Sequence, residues 1–153
     1  LLMRPELDQW QPGEHTGTFS GNNLAFVAAT RALSYWDNND FADAIKYKGQ
    51  IMQQELSKIV DKYKEQLDIE LRGRGMVWGL DIKRPGFAGE VSAEAFANSL
   101  VIELAGADDN VVKFLPCLVI EEETLRKGID IIDKAIGDLL ARKKAAIKGD
   151  IAA

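Results

Sequence analysis

Residues 14–29 read EHTGTFSGNNLAFVAA, so glycines, hydroxyl side chains and two asparagines run directly into a small, apolar, helix-forming stretch. The N-terminus of a helix carries unpaired N–H donors and a partial positive charge, which attract phosphates and other anions. Gly17 and Gly21 let a backbone approach a ligand closely, and Thr18 adds a hydroxyl donor. The same residues also suit a glycine turn with an asparagine cap and no ligand. Arg72-Gly73-Arg74-Gly75 holds two guanidinium groups that can grip a carboxylate in bidentate fashion, or lie solvated in a turn between strands. Lys113 stands in the apolar run VVKFL. Pointing inward it needs an anionic partner; pointing outward it is an edge-strand lysine. Cys117, after Pro116 and among apolar neighbours, reads as a core thiol. His15 has no catalytic partner nearby and reads as a loop hydrogen-bonder.

Other chemistries are disfavoured. The chain of 153 residues has a formal net charge of −5, unlike the basic face of a nucleic-acid binder. No apolar run approaches the ~20 residues of a membrane span. The opening LLMRPELDQW lacks signal-peptide anatomy, and a lone cysteine suits a reducing compartment, so a cytoplasmic location is expected. A single histidine rules out any two-histidine site from this chain. There is no P-loop, GxGxxG, GxSxG or zinc-ligand spacing, so no metal is expected, and Asp108-Asp109 reads as turn chemistry.

These residues need elements to hold them. Asn22 or Asn23 caps a helix over roughly 23–36, apolar on nearly every side, which calls for cover by another layer or a partner. Asp40 caps a second helix. Ile45, Met52, Leu56, Ile59, Tyr63 and Leu67 form one stripe along residues 41–67, about 40 Å at ~1.5 Å per residue. A helix this long suggests a link between two parts of a molecule. The period then becomes two: Ile69 and Leu71 alternate with charges, as do Met76, Trp78, Leu80 and Ile82, with Arg72–Gly75 as a turn or bulge between. PGFAGE reads as a loop, and Ser92 as the cap of a short helix over 93–99 with Phe96 inward. Leu100–Leu104 and Val111–Leu115 are strand candidates, the latter limited by Pro116, and Leu118–Ile120 is a third short apolar run. Leu125, Ile129, Ile132, Ile136 and Leu139 mark a final helix with Glu121–Glu123 at its start and Arg142–Lys144 at its end, matching the macrodipole. Residues 146–153 read as a frayed tail. The fold class is α+β, a small sheet with helices on one face.

The order of three segments resembles the class III (subgroup II) aminotransferases. HTGTFSGNNLAFVAAT is similar to their threonine loop, LRGRGMVWGLDI to their small-domain strands, and VVKFLPCLVIEEETLRKGIDIIDKAI to their last strand, proline pair and final helix. The resemblance covers about Leu1 to Leu140. It implies the C-terminal small domain of a fold-type I enzyme that uses pyridoxal 5′-phosphate (PLP). Residues 1–40 would end the large domain, 41–67 would link, and 68–145 would form a small, mostly antiparallel domain. Thr18 matches the threonine that hydrogen-bonds the PLP phosphate in the neighbouring subunit's site, with Gly17 and Phe19 in the same loop, so a homodimer or higher oligomer is implied. Lys113 falls where many members carry a carboxylate-binding arginine; lysine keeps the charge without the fork. Cys117 stands at the second position of the proline pair. The Schiff-base lysine lies upstream in this family, so the resemblance implies no catalytic residue in this chain. Within the class, EHTGTF, GNNLAF, LMRPELDQW and VVKFLP are most similar to members of ectoine biosynthesis that move an amino group from glutamate to aspartate 4-semialdehyde; the alternatives are another ω-aminotransferase, for ornithine, 4-aminobutyrate or a diamine, and a non-catalytic α+β domain for anion binding or oligomerisation.

Overall fold

A computed structural model describes residues 3–151 of the chain. It falls into two compact units, Leu1–Phe41 and Ala42–Ala153. In the first, a single 3-10 turn at Pro5–Leu7 and a turn at Pro12-Gly13 precede helix α1 (Asn23–Leu33). A further 3-10 turn, Ser34–Trp36, follows. The expected helix over 23–36 therefore tightens in its last turn. Tyr35 and Trp36 pack their rings on Phe41, with centroids 5.3 and 5.0 Å apart. No residue of α1 is buried, although the helix is apolar on several sides.

The second unit is α+β. Helix α2 (Asp40–Tyr63) starts where Asn38 Oδ1 accepts the Asp40 N–H at 3.0 Å, so Asp40 is the first helical residue rather than the cap. Strands β1 (Ile69–Arg74) and β2 (Val77–Ile82) form a hairpin, helix α3 spans Phe87–Ala97, and β3 (Glu103–Ala105) and β4 (Val111–Phe114) follow. Helix α4 (Glu122–Ile151) ends the described chain. The sheet is antiparallel throughout, in the order β1-β2-β4-β3.

The register explains its two faces. Leu71, Leu80, Val112 and Leu104 stand in one cross-strand row, and Gly73, Trp78 and Phe114 in the next row of that face. The neighbouring rows, Glu70–Asp81–Val111–Ala105 and Arg72–Gly79–Lys113–Glu103, point the other way because strand side chains alternate. The first face forms one core with Met52, Leu56 and Ile59 of α2, Phe87 and Val91 of α3, and Leu125, Ile129, Ile132 and Ile136 of α4.

Several local expectations differ from the structure. Arg72–Arg74 is strand, and the hairpin loop is only Gly75-Met76, with glycine at positive φ (+59°) where the chain reverses. PGFAGE is not a loop: Gly86, at φ +73°, turns the chain into α3 at Phe87. The buried face of α3 is then Phe87, Ala88, Val91 and Ala95, which leaves Phe96 71% exposed. Ser92 is inside the helix, and its Oγ donates to the Ile102 carbonyl at 3.2 Å. The strand expected from Leu100 begins only at Glu103, and the apolar run Leu118–Ile120 falls in a turn. Helix α4 continues past Ala145 to Ile151; residues 152–153 of the expected tail lie outside the described residues. No helix among the described residues is long and apolar enough to cross a membrane.

Two glycines give opposite predictions. A Cβ on Gly49 of α2 would sit 2.7 Å from the Gly75 carbonyl oxygen, a backbone atom that cannot swing away. A Cβ on Gly89 of α3 meets nothing within 4 Å. In urea unfolding, Gly49→Ala is expected to destabilise by about 1–3 kcal/mol through overpacking. Gly89→Ala should stabilise by about 0.5–1 kcal/mol. Equal behaviour of the two would mean that α2 does not lie against the hairpin loop.

Candidate functional site

The glycine loop of the first unit is built by local hydrogen bonds. Ser20 N–H donates to the Gly17 carbonyl at 3.0 Å, closing a turn around Thr18 and Phe19. Gly21 takes φ +78°, a conformation that favours glycine, and hands the chain to Asn22. Asn22 is the cap, its Oδ1 accepting the Ala25 N–H at 3.0 Å. Among the described residues, the amides of Asn23 and Leu24 have no acceptor and the Thr18 hydroxyl has no partner. Phe19 is 83% exposed. The turn thus presents a hydroxyl, a close-approach glycine and open helix N–H groups together, the donor set an oxyanion requires. The His15 ring lies 5.5 Å from that of Trp10, tilted by 45°, and makes no hydrogen bond among the described residues, where a loop hydrogen bond was expected.

The second candidate surface is the polar face of the sheet. Lys113 points outward onto that face, and its Nζ pairs with Glu103 at 2.5 Å, directly opposite in the register. Arg72 pairs with Asp81, so the carboxylate it grips is the protein's own. Asp81 is 1% exposed; its Oδ2 also takes Lys83 Nζ at 2.5 Å, and its Oδ1 takes the Asn110 Nδ2 donor at 2.5 Å. A buried carboxylate with three donors is satisfied, and removing them singly would be costly. Arg74 shares this face, and no carboxylate among the described residues pairs with it. Asp81 and Asn110 were not anticipated: 29 residues separate them, and only the β2–β4 pairing brings them together. The alternation Asp81–Lys83 in LDIK was their one sequence signal.

A third cluster holds the segment after β4. Lys48 Nζ donates to the Leu118 carbonyl at 2.9 Å, and the Tyr47 hydroxyl to Glu122 Oε2 at 3.0 Å. Arg126 Nε reaches Glu122 and its Nη1 reaches Glu55, each at 2.8 Å. The arginine hydrogen bond, then that of Tyr47, holds the Glu122 carboxyl below its ordinary range. Lys58 first, with help from Arg126, does the same for Glu55. The Tyr47 hydroxyl is pushed up because it donates to Glu122. Cys117 is exposed on this segment, contrary to the core thiol expected, because β4 stops at Phe114 and Pro116 leads the chain off the sheet. Among the described residues no group of three or more His, Cys, Asp or Glu could hold a metal ion.

The sheet with three helices on its apolar face is α+β, and the comparisons supply its family. Residues 4–136 match the model of the Aminotransferase class-III family, and the chain belongs to that family. It is 54% identical over 145 residues to a diaminobutyrate–2-oxoglutarate transaminase of Wolinella succinogenes, which covers 95% of this chain and 34% of the relative. It is 50% identical over 135 residues to the enzyme of the same name from Oceanobacillus iheyensis, covering 88% and 32%. The chain therefore spans about a third of the length of the curated relatives it matches. Among solved structures, it superposes on acetylornithine aminotransferase from Elizabethkingia anophelis with TM-score 0.71 at 27% identity, covering 86% of this chain and 34% of that one.

The acid response of the α2–α4 clasp follows from these shifts. Glu55 and Glu122 both have lowered pKa values in the folded state. Their contribution to stability is therefore present above the unfolded glutamate value of about 4.3 and is lost as pH falls through the lower folded values. The gap in melting temperature between the wild type and Arg126→Met should be nearly constant from pH 7 to about 5 and shrink below about 4. A gap that stays constant to pH 2 would show that Arg126 acts by packing alone.

Proposed function

We propose that this chain is the C-terminal part of a PLP-dependent transaminase. The reaction moves an amino group from L-glutamate to L-aspartate 4-semialdehyde, yielding 2-oxoglutarate and L-2,4-diaminobutyrate, in the cytoplasm and in the service of ectoine biosynthesis. The observation that carries this reading is the 54% identity, over nearly the whole chain, to a relative bearing that enzyme's name. In this reading residues 1–40 close the large cofactor domain, 41–67 link, and 68–145 form the small domain. The Schiff-base lysine belongs to the polypeptide outside this chain.

The loop fits a phosphate monoester. Thr18 Oγ1 would donate to a phosphate oxygen, Gly17 would let the backbone come close, and Phe19 would shield the site from water. The free amides at the start of α1 add a favourable field. The loop serves the site of a neighbouring subunit, and the uncovered apolar surface of α1 favours burial against other parts of such an assembly. PLP, when bound, supplies the electron sink that amino-group transfer needs. Lys113 holds a substrate carboxylate as a point charge, in exchange for its present partner Glu103. A second reading, another class III ω-aminotransferase acting on ornithine, 4-aminobutyrate or a diamine, draws support from the likeness to acetylornithine aminotransferase.

The test uses the full-length enzyme. Glutamate with aspartate 4-semialdehyde should turn over faster than ornithine or 4-aminobutyrate; the reverse order favours the second reading. Thr18→Ala should weaken PLP binding about 10- to 100-fold, the loss of one hydrogen bond to a charged group, read by cofactor fluorescence titration. Lys113→Met should raise KM for glutamate about tenfold or more with a smaller change in kcat, and Lys113→Arg should restore it. Unchanged PLP affinity in Thr18→Ala would remove that residue from the phosphate site.

A further inference from the structure

Ahead of the glycine loop the chain makes a first turn, with Pro12 and Gly13 at its centre. The Glu14 N–H donates to the Gln11 carbonyl at 3.1 Å, and Gly13 takes φ +89°. Proline first and a left-handed glycine second is the pattern of a type II turn. The Gln11 N–H donates back to Glu14 Oε2 at 2.7 Å, so the two arms are joined twice. One step further out, Trp10 and His15 meet ring to ring, with centroids 5.5 Å apart, within the range at which aromatic rings attract. The chain then passes Thr16 and enters the second turn, closed by Gly17 and Ser20. Among the described residues, no hydrogen bond made by residues 8–21 spans more than three positions. The ring contact reaches further along the chain than any of them.

We propose that Trp10 and His15 are positioning residues: their ring contact fixes the direction in which the chain enters the second turn, and so sets where Thr18 Oγ1 is presented. The inference rests on the reading of this loop as a phosphate site. His15 and Thr16 make no hydrogen bond among the described residues, so without the ring contact these two residues are a swivel between two rigid turns. Fixing a loop costs conformational entropy for each residue ordered, and a donor held in place before the ligand arrives keeps more of its hydrogen-bond energy. Neither ring touches the phosphate in this account. His15 acts through its flat face, not its proton, and an uncharged aromatic ring does the same work.

The experiment is a double-mutant cycle on the full-length enzyme freed of PLP, read by fluorescence titration with PLP. Trp10→Ala should weaken binding about 3- to 30-fold. Trp10→Ala combined with Thr18→Ala should bind no more weakly than Thr18→Ala alone, because the first residue acts through the second. His15→Ala should match Trp10→Ala, while Trp10→Phe and His15→Phe keep an aromatic ring and should bind within about twofold of wild type. If Trp10→Ala does not fold, Trp10→Leu, which keeps apolar bulk and removes the ring, takes its place in the cycle. Additive losses in the double variant, unchanged affinity in Trp10→Ala, or a loss in His15→Phe as large as in His15→Ala overturns the brace. These outcomes leave the phosphate reading standing when Thr18→Ala alone still weakens PLP binding. Unchanged affinity in Thr18→Ala removes the phosphate reading and the brace with it.

Discussion

Side chains alternate across β1, β2 and β4, and this period of two decides what each part of the second unit can do. Leu71, Leu80, Val112 and Leu104 face three helices, with Leu80 and Val112 fully buried and Leu71 and Leu104 partly so at the two edges. Arg72, Arg74, Lys113, Asp81 and Glu103 are forced onto the opposite face by the same geometry. A one-residue slip of β1 alone would turn Glu70, Arg72 and Arg74 towards the core. The hydrophobic face therefore guarantees the chemistry of the polar face.

Glycines let the helices and strands come close enough for that arrangement. A Cβ on Gly73 would run into the Trp78 ring, 2.6 Å away, and one on Gly49 into the Gly75 carbonyl. Trp78 Nε1 donates to that same Gly75 oxygen at 2.7 Å, so the hairpin loop is held by the indole from within and by α2 from outside. Most charges of the polar face, Arg74 apart, are paired within the protein. Arg72 and Lys83 share Asp81, and Lys113 has Glu103. Any anion reaching Lys113 would have to displace Glu103, so charge alone does not define a site there.

The glycine loop obeys a different logic. Its turn, its cap and its positive-φ glycine are set by contacts no more than four residues apart. Such a loop can be read from sequence, and its resemblance to a family threonine loop raised the expectation of a phosphate there. Family membership is carried by residues 4–136 as a whole. Among the described residues nothing of the first unit covers α1, whose apolar sides were as plain in the sequence as they are in the structure.

The sequence by itself determined the α+β class, the stripes of α2 and α4, the alternating strands, the Asn cap and the family, because these depend on spacing within a few residues. It also suggested Thr18 and Lys113 as contacts. Tertiary structure decided the rest. Which phenylalanine of α3 is buried depended on Gly86 starting the helix six residues before the Ser92 cap expected for it. That Cys117 is exposed depended on where β4 loses its partners. The Arg72–Asp81–Asn110 cluster, the Lys113–Glu103 pair and the Lys48 bond to Leu118 join residues 9 to 70 positions apart. No local rule encodes such pairs, since the free energy that selects them belongs to the assembled sheet and helices.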